Sequence, residues 1–196
     1  MANDVDGVIS EFESVSADVR NTFGGMSAEQ LNWKPAPESW SVGQCLDHLI
    51  KSNEEFYPEL DALAAGTRKN TFWQNWSPLS GIAGGFLVAT LKKDGQKVKT
   101  NQKMTPPSNI SGDIVERFTQ HQSELIEKLR AASSTEWRKV VLTSPFVKIM
   151  TYRMDVGLQA VIEHEKRHVR QAKRVIAIDG FPKGSEKQQE AAEATA

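Results

Sequence analysis

The chain has 196 residues, 39% of them apolar and 25% charged, which supports an ordinary core and excludes wholesale disorder. A formal charge of −1 supplies no basic stripe for nucleic acid, and the longest mostly apolar run, Gly81 to Leu91, is too short and glycine-rich to span a membrane. The N-terminus lacks the basic and apolar regions of a signal peptide, and a single cysteine, Cys45, excludes an internal disulfide framework, so a cytoplasmic protein is expected.

Four segments carry helical periodicity and none carries sustained strand alternation. The first runs from about Asp4 to Phe23, with Val5, Val8, Ile9, Phe12, Val15, Val19 and Phe23 on one face, and Gly24-Gly25 ends it. Ser27 with Gln30 three residues on predicts a capping box and a short turn. Trp33-Lys34-Pro35-Ala36-Pro37 is expected to be extended, because each proline restricts the residue before it.

Ser41 and Gln44 repeat the box and open a second helix, predicted to reach Ala65, with Cys45, His48, Leu49, Phe56, Leu60 and Leu63 inward. Cys45 reads there as a small buried residue rather than a reactive thiol. Residues 67–107 are too many for a structureless connection, so partial order is expected. Phe72, Trp73, Trp76 and Phe86 are expected to pack over one end of the bundle, as a lid or a contact with a second subunit. A third helix is predicted from Ser111 to Ala132, with Ile114, Phe118, His121, Leu125 and Leu129 on its stripe. The fourth runs from about Thr151 to Ile178 and stops at Asp179-Gly180-Phe181-Pro182. The reading is all-α: one antiparallel four-helix-bundle domain over residues 1–182, with a disordered polar tail over 183–196.

Only four histidines occur. His164 and His168 lie four apart on the fourth helix, about 6 Å along the axis and about 40° around it, so both rings leave one face. That spacing can reach one metal ion, although surface histidines share it. The stripe Gly157, Val161, His164, His168, Gln171, Val175 is otherwise small, apolar or amide, which puts the pair on the packed face. Glu165, Lys166, Arg167 and Arg170 are read as pointing elsewhere. His48 falls on the inward stripe of the second helix, one turn after Gln44, and facing helices are a normal way to complete such a site. His121 also points inward, as a pocket base, a fourth ligand or a core histidine bonded to a neighbour. Gln171, one turn beyond His168, reads as a donor behind the ligands or as an interhelical amide, with Gln44 a further pocket candidate. Trp33, Trp40 and Tyr152 are read as pocket walls or as core.

Around these histidines the sequence resembles the DinB/YfiT-like superfamily of metal-binding four-helix bundles. The resemblance rests on Leu31-Asn32-Trp33-Lys34-Pro35-Ala36-Pro37 and Ser39-Trp40-Ser41-Val42-Gly43-Gln44 leading to His48, and on His164-Glu165-Lys166-Arg167-His168-Val169-Arg170-Gln171. It implies an up-down-down-up bundle, with His48, His164 and His168 as ligands of a zinc, nickel or similar divalent ion and water in the open positions. It also implies possible homodimers and a small-molecule substrate; some relatives transfer low-molecular-weight thiols. The long 67–107 connection and the basic Lys166-Arg167 depart from many relatives.

Three protein ligands with an open position suit catalysis rather than a closed structural site. Two enzymatic readings follow: transfer of a low-molecular-weight thiol to a small electrophile, or hydrolysis using an acidified water. A third is a metal-stabilised binding or stress-response module without turnover. Arg153, Arg167 and Arg170 are candidates to grip a thiol's carboxylates, although a solvated helix face also accounts for them.

Overall fold

The computed structural model describes residues 4–72, 74, 83–92, 102–144 and 150–183. Its helices are α1 (Val5–Phe23), α2 (Ala28–Asn32), α3 (Val42–Glu54), α4 (Tyr57–Ala64), α5 (Ala83–Leu91), α6 (Ile114–Ala131) and α7 (Met154–Ile176). Both capping boxes form. Ser27 Oγ accepts from Gln30 N and Ser41 Oγ from Gln44 N, while each glutamine side chain accepts from the serine's own N–H.

The four main helices, α1, α3, α6 and α7, form the bundle expected. Its core falls into two layers. Ile9 and Phe12 of α1 meet Leu125 and Leu129 of α6 and Leu158 of α7 at one end. Val19 and Phe23, Leu46 and Leu49, Ile114 and Phe118, and Val169 and Ala172 meet at the other. The order in which the chain crosses these layers gives the directions. Helices α1 and α7 run from the first to the second and α6 from the second to the first. Helix α3, whose core residues lie in the second, leads into Leu60 and Leu63 of α4 in the first, so α3 and α6 run opposite to α1 and α7. Two ion pairs report the same parallel relation, Lys166 to Glu11 at 2.6 Å and Lys173 to Asp18 at 2.7 Å, seven residues apart on both helices. Exposed pairs of this kind contribute little energy. Because α3 and α6 are parallel, the chain between them must return along the whole bundle, which is why that connection is long. It carries α4, α5 and a 3₁₀ turn at Gln102–Met104, of which the last two are partial order of the kind expected within residues 67–107.

The structure corrects several expectations. The second helix is not continuous to Ala65: α3 ends at Glu54 and α4 restarts at Tyr57. Pro58 within a continuous helix would lose one ladder bond and clash with the carbonyl four residues back; at the start of α4 its missing N–H costs nothing. The fourth helix begins at Met154, because Thr151–Arg153 is a strand, β2, pairing antiparallel with β1 (Val141–Thr143), with Leu142 opposite Tyr152. Strands of three residues are too short to show alternation. The Tyr152 ring lies against Gly157, where a Cβ would come within 2.7 Å of it, so α7 can cross the hairpin closely only with glycine there. Phe72 and Phe86, expected to pack, are 81% and 74% exposed. Trp73 and Trp76 lie outside the described residues, as does the tail beyond Lys183. No helix among the described residues is long and apolar enough to cross a membrane.

Candidate metal centre

His48 sits in the second turn of α3, and the register of that turn is set by the Ser41–Gln44 box. Gln44 then extends outward: its Nε2 donates to Pro107 O at 2.9 Å, tying the start of α3 to the long connection rather than to His48. The 3₁₀ turn of that connection supplies what holds the ring. His48 Nδ1 donates to Met104 O at 2.9 Å. A carbonyl only accepts, so Nδ1 carries the proton and Nε2 presents a lone pair. That nitrogen lies 3.2 Å from His164 Nε2 and 3.5 Å from Ser52 Oγ.

The three rings converge, with centroids 5.1 Å apart for His48 and His164, 4.7 Å for His48 and His168, and 4.6 Å for His164 and His168. One nitrogen from each lies within 4.8 Å of the other two. Trp40 stacks on His168 at 5.6 Å and leans on His48 at 4.9 Å, closing one wall. Trp33 instead meets Phe181 edge-on, and Tyr152 is buried in the opposite core layer, so neither joins this wall. His48 is buried while His164 and His168 keep partial exposure, so the cluster opens to solvent on one side.

The electrostatics keep all three rings neutral. Burial is the main cause in each case. It brings His164 down to about 3, helped by the neighbouring His48 and Arg167. It brings His168 to about 2, helped by His164, His48 and Arg167 and opposed by Gln171. His48 is also lowered, against the pull of its bond to Met104 O and of Asp47. Gln171 thus lies beside His168, yet His168 Nδ1 is buried without a well-formed hydrogen bond among the described residues. Neutral imidazoles with one nitrogen of each converging, and an orphaned ring nitrogen on His168, are a donor set that fits a divalent transition-metal ion.

His121 is not part of the cluster. Its Nδ1 shares a 2.9 Å hydrogen bond with the Tyr57 hydroxyl, the two rings stack 5.5 Å apart, and burial lowers its pKa to about 4. Below the unfolded value near 6.5, the unfolded chain takes up a proton that the folded chain refuses, so this group's contribution to stability is lost as pH falls. Between about pH 7 and about pH 5 the wild type should lose about 2 kcal/mol more than His121→Leu in urea unfolding. Equal losses would show that the ring is not held neutral by the fold.

Glu165, which the sequence places off the stripe of His164 and His168, is fully buried. It lies about 100° around α7 from His164, and α7 packs against α1, α3 and α5, so more than one of its faces is covered. Glu165 Oε1 accepts from Asn53 Nδ2 of α3 at 2.7 Å and from Gln122 Nε2 of α6 at 2.6 Å. Burial raises its pKa to about 7 against the pull of those two bonds. Cys45 is buried as expected, its thiol pushed up to about 12. Periodicity carried no signal for Met104 O, since a backbone carbonyl leaves no mark in the residue pattern.

The sequence model of the DinB superfamily matches residues 11–172. The chain is 26% identical over 167 residues to the uncharacterized protein YuaE of Bacillus subtilis (strain 168), covering 85% of this chain and 96% of that protein. It is also similar to the solved structure of YfiT from Bacillus subtilis, described as a probable metal-dependent hydrolase with an unusual four-helix bundle topology. The TM-score is 0.57 at 14% identity, over 93% of this chain and 92% of that one. With a match spanning all four main helices and the three-histidine cluster, the chain belongs to the DinB superfamily.

Proposed function

We propose that His48, His164 and His168 hold one divalent transition-metal ion and that the protein is a metal-dependent hydrolase of a small molecule. The observation that carries this is the convergence of three neutral imidazoles, one nitrogen of each within 4.8 Å of the others, on a cluster partly open to solvent. A nitrogen-only donor set suits zinc, nickel, copper or iron and disfavours magnesium and calcium. Such an ion supplies Lewis acidity, polarising a carbonyl or phosphoryl oxygen and acidifying water near neutral pH.

The chain's own residues do the rest. Met104 O fixes the His48 tautomer and ring plane, and Trp40 excludes water from one side. A groove of about 420 Å³, lined by Lys51, Glu54, Glu55, Pro58, Lys103 and Met104, adjoins His48 through Met104 and through Lys51 one turn further on. Its mixed charge suits a small polar substrate. The reading agrees with the description given to YfiT. Arg153 forms a forked bond with Asp155 at the start of α7, so it is not placed to grip a thiol cofactor at the histidines.

The deciding experiment assays metal-loaded protein and its His164→Ala variant on a panel of esters, amides and phosphodiesters, with a parallel panel of low-molecular-weight thiols and a generic electrophile. Ester, amide or phosphodiester turnover that falls at least about a hundredfold in the variant supports hydrolysis. Thiol consumption without such turnover replaces this reading with thiol transfer. Inactivity on both panels with metal bound makes the protein a metal-stabilised binding module.

A further inference from the structure

Glu165 is costly where it stands. Its side chain is fully buried, one oxygen is bonded to Asn53 and Gln122, and the other has no partner among the described residues; Gln122 Oε1 is orphaned too. Burying a carboxylate costs several kcal/mol, and well-packed apolar residues in place of a buried charged network are often neutral or stabilising. Filling space therefore does not account for it.

What the network supplies is direction. It joins α3, α6 and α7 at one point through two short bonds. On the antiparallel seam between α3 and α7, His48 meets His164 at 3.2 Å and Asn53 meets Glu165 at 2.7 Å. Asn53 lies five residues beyond His48, about 7.5 Å along α3, and Glu165 directly follows His164. The bonds from Asn53 of α3 and Gln122 of α6 converge on one carboxylate oxygen and so restrain both the rotation and the axial position of α7 at Glu165, next to His164, whereas apolar contacts tolerate small shifts of either.

We propose that Asn53, Gln122 and Glu165 are positioning residues that set the register of α7 against α3 and α6, so that His164 and His168 face His48 at the spacing one metal ion requires. The inference rests on the metal reading above. It predicts that the network can be made apolar without loss of fold but not without loss of metal affinity.

The test titrates cobalt(II), followed by its visible absorption, into metal-free full-length wild type and a near-isosteric triple variant, Asn53→Leu/Gln122→Met/Glu165→Met. Circular dichroism confirms folding of each. The expected result is a triple variant as resistant to heat as the wild type, with cobalt Kd weakened about 10- to 100-fold and an altered absorption envelope. Glu165→Gln, which keeps an acceptor for both amides, should bind within about threefold of wild type. If the triple variant does not fold, Asn53→Ala decides, since it removes only the tie to α3: a weakened Kd in folded protein supports the inference. An unchanged Kd and spectrum in the folded triple variant, or an unchanged Kd in Asn53→Ala, overturns it alone. A wild type that takes up no cobalt overturns the metal reading and this inference with it.

Discussion

Metal-free protein purified without a histidine tag should take up about one divalent ion per chain, and His48→Ala, His164→Ala and His168→Ala should each abolish stoichiometric binding. The reason is the convergence of the three rings, one nitrogen of each within 4.8 Å of the others. Removing one ring leaves two donors, too few for tight retention. Because the site exists only in the folded chain, bound metal stabilises the fold by about 4 kcal/mol at a thousandfold excess over Kd. For a chain of this length that is a rise in Tm of about 8–16 °C. Differential scanning calorimetry with and without zinc reads it directly, and element analysis gives the stoichiometry. Trp40, 5.6 Å from the His168 ring, offers a second readout: nickel or copper should quench part of the fluorescence, and Trp40→Phe should remove that part. An unchanged metal content in the histidine variants would refute the site.

Phe118→Ala should cost about 3–5 kcal/mol. Phe118 is fully buried in the core layer that also holds Leu49 and Val169, each next in sequence to a histidine of the cluster. Truncation removes a ring and leaves a cavity that long helices cannot easily collapse to fill. Against a total of about 5–15 kcal/mol, that loss populates unfolded chains near the growth temperature. Urea unfolding should show a midpoint shift at constant slope. Saturating metal should recover most of it, since Phe118 packs behind the site without ligating. A loss below about 1 kcal/mol would mean that this layer is loosely packed.

The four amphipathic helices, both capping boxes and the two histidines on one face of α7 are legible in the residue pattern. Each follows from local rules: apolar residues recurring at the helical period, a serine three residues before a glutamine, and a four-residue spacing that stacks two side chains. The inward stripe also placed His48 facing the core, and the resemblance across both motifs joined it to the other two.

The features that escape the residue pattern are matters of partners at long range. The hairpin before α7 depends on pairing between strands of three residues, which carry no periodic signal. The break between α3 and α4 shows that Pro58 outweighed an apolar stripe running through it. Glu165 reads in the sequence as pointing away from the packed stripe, but which faces of α7 are covered depends on α1, α3 and α5 packing around it. The same dependence separates His121, which found Tyr57, from the three histidines that found one another. The His48 tautomer depends on a carbonyl 56 residues away. Periodicity reports which face of a helix is buried; which side chains meet there is a property of how the helices pack, and no local pattern encodes it.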